Sequence, residues 1–207
     1  MVLDTRYTGD PERVALVLPG LTYTPARPLL HFLVRALHAR GWTVQELWWE
    51  PPADAEQRQA YITERAMAAL EEEHAEQVVV LAKCLGTLFL PTAAVLGLPG
   101  IWLTPMLDVP SVADAVKTST TPSLIVGGTR DPHWDIDAAR AGGHAVLELS
   151  GADHALEIPQ DVHGSLQALS TVLHAAQDFV AGLPATRAID GAGNGFGLVR
   201  TEVPHQA

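Results

Sequence analysis

Gln77-Val78-Val79-Val80-Leu81-Ala82-Lys83-Cys84-Leu85-Gly86-Thr87 is the stretch from which the rest of the chain can be read. Its first half is an apolar, β-branched run of the kind a strand buried on both faces requires. Its second half continues as Leu85-Gly86-Thr87-Leu88-Phe89-Leu90, the opening turns of a helix. Between the two stands the only cysteine of the chain, with the small residues Ala82 and Gly86 two positions to either side. A side chain at a sharp strand-to-helix turn is pushed out of the sheet, and bulky neighbours at those positions would block it. The same turn aims backbone N–H groups of the next helix at any negative charge that forms beside the side chain. The pattern is that of a nucleophile elbow, usually G-x-S-x-G, with alanine for the first glycine and sulfur for oxygen. A cysteine after an apolar strand is also an ordinary packing residue, so the reading depends on what stands elsewhere.

Upstream, Val14-Ala15-Leu16-Val17-Leu18 is a buried strand closed by Pro19-Gly20. Thr24-Pro25 reads as the cap and first residue of a helix carrying Leu30, Leu33 and Leu37 on one face and stopping at Gly41. Thr43–Trp49 is a second strand broken by Pro51-Pro52, and Ala55 to His74 a helix with Ile62, Ala66, Ala69 and Leu70 as its buried stripe. Residues before Arg13 show no clear pattern and are expected to form an irregular or edge element. Downstream, strands are expected at Gly100–Leu103, Ser123–Val126 and Ala145–Leu149, with short helices at Ser111–Lys117 and after Trp134. A last helix from Val162 would turn Leu166, Leu169, Leu173, Ala176 and Phe179 or Val180 to the core.

Apolar strands alternating with helices imply a three-layer α/β/α sandwich on a mostly parallel sheet of about six strands. That domain is expected over residues 1–183. Residues 184–207, with Gly191, Gly193, Gly195 and Gly197, read as a loosely attached extension.

Composition narrows the function. A net charge of −11 without a basic cluster opposes nucleic acid or anionic membrane as partner. No apolar run has the length of a membrane span, and one cysteine makes no internal disulfide. With no apolar leader-like segment at Met1–Tyr7, a cytoplasmic location is the expectation. Pro19-Gly20-Leu21-Thr22-Tyr23 lacks the glycines of a dinucleotide fingerprint. No cofactor is called for.

In an open parallel sheet, ligands sit at the carboxyl ends of the strands. Cys84 follows the third expected strand, Asp131 the fifth and His154 the sixth. A thiol is largely protonated at neutral pH. An imidazole within reach removes that proton and returns it to a leaving group, and a carboxylate on the far ring nitrogen fixes the tautomer. Backbone N–H groups of Leu85 and Leu21 are the candidate oxyanion donors, with Gly20 allowing the Leu21 loop to approach. Asp108, after Pro105-Met106-Leu107, is a competing acid, and is otherwise expected to cap the next helix. Tyr23, Trp134 and Trp49 follow strand ends and are candidates to line the pocket. Lys83 is expected to be solvated, though close enough to favour a thiolate. His133 and Asp135 beside Asp131 lack the distant partners a closed metal site needs, so no metal is expected.

Taken together, Val17-Leu18-Pro19-Gly20-Leu21, Ala82–Thr87, Gly127-Gly128-Thr129-Arg130-Asp131-Pro132 and Gly151–Glu157 resemble the α/β-hydrolase superfamily. The departures are Pro19, where many members carry histidine, and Ala82 in the elbow. The resemblance implies hydrolysis of esters, thioesters or related acyl compounds without a cofactor, with a small-molecule acyl substrate as partner. A cysteine nucleophile is similar to that of the dienelactone-hydrolase branch. The short connection between the fourth and fifth strands leaves no room for a lid domain. That implies an open site for a small or flexible acyl group and speaks against a true lipase. Acyl transfer from the same cysteine and a catalytically silent binding protein are the alternative readings.

Overall fold

The computed structural model describes residues 4–184; the expected glycine-rich extension, beyond its first residue, lies outside them. Seven strands form one sheet: β1 (Thr5–Tyr7), β2 (Asp10–Leu18), β3 (Trp42–Glu46), β4 (Gln77–Lys83), β5 (Gly100–Leu103), β6 (Ser123–Gly128) and β7 (Ala145–Leu149). Their spatial order is β1-β3-β2-β4-β5-β6-β7. All pairings are parallel except that of β1 with β3. The six expected strands are β2 to β7. The seventh, β1, is the edge element the first residues left open, and Asp4 beside it accepts from the Trp48 N–H at 2.8 Å.

Strand alternation sends each strand's side chains to two separate cores. Val14, Leu16, Val78, Val80, Trp102 and Ile125 pack under α2 (Ala55–Glu71), α3 (Leu90–Val95), α4 (Pro110–Thr118) and α5 (Ile136–Arg140). Ala15, Val17, Val79, Leu81, Ile101 and Val126 pack under α1 (Pro28–Ala39) and α6 (Val162–Ala181). β4, in the middle of the sheet, is buried over its whole length. β7 is only partly buried, as an edge strand is, and departs from the expected run apolar on both faces.

Two helices differ from their sequence reading. α1 starts at Pro28 after Arg27, one turn later than Thr24-Pro25, because Gly20 N–H bonds the Tyr23 carbonyl at 3.0 Å and Arg27 N–H that of Thr24 at 3.0 Å. Those bonds hold the segment in turns. In α6 the residues buried against the sheet are Ala168, Val172, Ala176 and Val180, with Leu169 and Leu173 flanking them. Leu166 is 57% exposed. α6 lies against α1, and small side chains let a helix come close to its neighbours.

A loop and α4 alone connect β5 to β6, with no inserted domain.

Candidate active site

The carboxyl edge gathers its groups from β2, β4, β5, β6 and β7. After Lys83 the chain turns at Cys84, whose φ of 49° lies in the left-handed region that non-glycine residues avoid. A residue is held there only when its surroundings determine it. The surroundings here are a 3-10 turn over Cys84–Phe89 and Thr87, whose hydroxyl donates to the Cys84 carbonyl at 2.5 Å. Gly86 is required, since a Cβ there would stand 2.3 Å from the Leu18 carbonyl oxygen. A Cβ on Gly20 would lie 3.4 Å from that of Cys84, so the loop after β2 does run against the elbow. The strand-turn-helix form read from the sequence is thus present, with its first helical turn tightened to 3-10.

Asp131 follows β6 in a turn closed by its own N–H on the Gly128 carbonyl at 3.0 Å. Its Oδ1 accepts from the His133 N–H at 3.0 Å, and its Oδ2 lies 2.8 Å from Nδ1 of His154. A carboxylate only accepts, so Nδ1 carries the hydrogen and Nε2 is left to face the thiol. The Asp131 carboxyl is fully buried and the imidazole is 33% exposed. His154 sits in a loop after β7 that Asp153 organises, its Oδ1 accepting from Ala155 N–H at 2.8 Å and Glu157 N–H at 3.1 Å.

Ionisation follows from this placement. Burial disfavours the Cys84 thiolate, but a hydrogen bond from His154, the charges of His154 and Lys83 and the Leu85 N–H outweigh it and bring the thiol below its ordinary value. Hydrogen bonds to Asp131 and Cys84 raise the imidazole to about 9. Burial also opposes the Asp131 carboxylate, yet bonds from His154 and the His133 N–H hold it below the usual range. The thiol and the imidazole thus each favour the other's charged form, which eases proton transfer from Cys84 to His154.

Lys83 corrects its reading as a solvated residue: it is 0% exposed. Its ammonium donates to the hydroxyl of Thr104 and, at 2.6 Å, to the backbone carbonyl of His154, and lies 5.2 Å from the Tyr23 ring centroid. Burial pushes it down to about 8, against the opposing pull of Cys84, Asp131 and Asp153. It ties the end of β4 to the end of β5 and to the histidine loop.

Leu21, Tyr23, Cys84, Arg130, Pro132 and His154 line a cleft of about 420 Å³. Leu21 stands exposed on its rim and Leu85 is buried behind the thiol. Three other candidates do not line this cleft. Trp134 packs its ring on Gly127, where a Cβ would stand 1.9 Å from it, and donates from Nε1 to Glu148 at 2.7 Å. Trp49 is buried beneath α2 with its ring edge on Tyr61. Asp108 pairs with Nδ1 of His133 at 2.9 Å and caps nothing, since the α4 cap is Val109. Asp135 caps α5, so Asp131, His133 and Asp135 diverge to different partners. Among the described residues no group of three or more His, Cys, Asp and Glu is placed to hold a metal ion.

No protein-family model matches the chain, and no curated protein matches it in sequence. Solved structures do match it. Est1E from Butyrivibrio proteoclasticus, with ferulic acid bound, superposes with a TM-score of 0.69 at 14% identity, over 87% of this chain and 94% of that one. A predicted CIB-like hydrolase from Thermoplasma acidophilum gives 0.65 at 15% identity, over 88% and 93%. A monoacylglycerol lipase from Paleococcus ferrophilus gives 0.63 at 12%, over 86% and 99%. The fold is that of the α/β hydrolases. At these identities the likeness is one of fold.

Proposed function

We propose that this protein is a hydrolase of small carboxylic esters or thioesters that works through Cys84, His154 and Asp131. The observation that carries the reading is the Asp131–His154 bond at 2.8 Å on the cleft that also holds Cys84 in its strained turn. In the first half-reaction the thiol proton passes to Nε2 of His154 and the thiolate attacks the substrate carbonyl carbon. The N–H groups of Leu85 and Leu21 take the oxyanion. Collapse breaks the bond to the leaving alcohol or thiol, which receives its proton from Nε2, and leaves an acyl-Cys84 thioester. In the second, Nε2 takes a proton from water, the resulting hydroxide attacks the thioester, and the acid leaves as Cys84 regains its proton. Asp131 stays ionised throughout and holds the ring. The sulfur nucleophile is the feature that would place the chain near the dienelactone-hydrolase branch. A reducing compartment suits a reactive thiol of this kind.

An activated ester should give a pre-steady-state burst matching one acyl group per chain, and Cys84→Ala should abolish it. Retention of full turnover by Cys84→Ala removes the mechanism. Free acid as the sole product in the presence of added alcohols and amines separates hydrolysis from acyl transfer.

A further inference from the structure

Beside the cleft lies a second concavity that the proton relay does not use. It is a trough of about 240 Å³ between the first turn of α1 and the first turns of α6, walled by Tyr23, Leu29, Leu156, Val162, Leu166 and Leu169. Tyr23 and Ala155 belong to both walls, so the trough adjoins the Cys84 cleft.

Its polar groups are turned away. The Tyr23 hydroxyl accepts from the Leu29 N–H at 3.1 Å, and Ser165 Oγ accepts from the Ile158 N–H at 2.8 Å and donates to the Asp161 carbonyl at 2.8 Å. What faces the space is mostly hydrocarbon. Val162 and Leu166, four residues apart on one face of α6, are 73% and 57% exposed and take no part in the stripe that packs on the sheet. Large aliphatic side chains left together at a concave surface mark a place where something apolar is bound. The volume sets its size: it is below the roughly 300 Å³ at which pockets for compact drug-sized ligands begin. Glu157 at its edge disfavours a chain that ends in a carboxylate.

We propose that this trough holds an unbranched aliphatic acyl chain while the carbonyl lies at Cys84, which makes medium-chain acyl esters or thioesters the substrate class. The inference rests on the hydrolase reading for its chemistry and on the trough alone for its selectivity. With p-nitrophenyl esters from acetate through butyrate, hexanoate and octanoate to laurate, kcat/KM should rise about fourfold for each methylene buried, then level off once the trough is full. Leu166→Asp, at an exposed position, should lower the octanoate-to-acetate ratio about tenfold or more. Val95→Asp, on exposed α3 under the other sheet face, should leave that ratio at the wild-type value. A ratio that is flat in chain length, or unmoved by Leu166→Asp, overturns the proposal.

A binding arm separates the two readings. Titration of octanamide, an uncharged eight-carbon probe, into Cys84→Ala should move the methyl NMR signals of Leu29, Leu156, Leu166 and Leu169. Those shifts in a protein whose wild type hydrolyses no ester support the trough and remove the hydrolase. Ester hydrolysis by the wild type with those signals unmoved does the reverse.

Discussion

At its start β4 places Gln77, whose side-chain amide donates to the Pro184 carbonyl at 2.5 Å; at its end it places Lys83, an ammonium bonded to Thr104 and to the carbonyl of His154. Both are buried polar closures of the same strand. A neutral amide meeting a carbonyl contributes on the order of 1 kcal/mol. A buried ammonium carries a desolvation penalty of several kcal/mol unless its partners are well placed. Backbone strain divides the same way. The turns leading into β3, β5 and β7 take positive φ at Gly41, Gly97 and Gly143, where it is free of penalty. Beyond the carboxyl ends the positive-φ residues include Cys84, Thr104, Leu156 and Gln160, each at about 1–3 kcal/mol. Charge and strain concentrate at one edge because that edge has a geometry to hold, while the other only closes the fold.

The largest effect should come from breaking the relay at its buried acid. Asp131→Asn keeps the shape but lets the imidazole adopt the wrong tautomer, and kcat should fall about a thousandfold to ten-thousandfold, measured on any ester that the wild type turns over. Next is Lys83→Met, which keeps the volume and removes the charge. With the ammonium gone, the rate of Cys84 alkylation by iodoacetamide should rise with pH at a higher value than in the wild type. Ester kcat/KM should drop by about tenfold as the histidine loop loses its tie. An unchanged alkylation profile would make Lys83 a packing residue only.

Stability against pH sharpens the contrast further. His154, raised from 6.5 to about 9 in the fold, stabilises fully below 6.5 and loses that contribution as pH climbs through 9. Asp131, held below 3.8, contributes above that value and loses it as pH falls through its own lowered value. Lys83 acts oppositely to His154: lowered from 10.5 to about 8, it binds more protons unfolded than folded between those values, so stability gains across that window. Urea melts of Lys83→Met should therefore show a steeper alkaline decline than the wild type. The smallest effect belongs to the other end of the strand. Gln77→Ala should lower stability by about 1 kcal/mol and leave ester kinetics unchanged.

How far the sequence carried the reading follows from what each feature depends on. β2 to β7 are legible because their apolar runs are local, whereas β1, three residues long, exists through its pairing with β3. Of the α6 leucines, Leu169 and Leu173 pack against the core as expected and Leu166 alone misleads, because the helix centres its stripe on Ala168, Val172, Ala176 and Val180. At the site, Cys84, Asp131 and His154 are placed by strand ends, and strand ends can be counted. Lys83 could not be recognised as buried, because its partners Thr104 and His154 lie 21 and 71 residues away. The available signal was parity: Lys83 continues the Val79, Leu81 face that packs under α1 and α6. Asp108 misleads for the same reason, its partner His133 being 25 residues distant.

Whether Cys84 carries the acyl group is read directly by intact-protein mass spectrometry after quenching the reaction with an activated butyrate ester. A butyryl mass increment should be localised to the peptide holding Cys84, absent in Cys84→Ala and slow to form in His154→Ala. Turnover of the ester with no adduct on Cys84 at any quench time, and at an equal rate in Cys84→Ala, would contradict it.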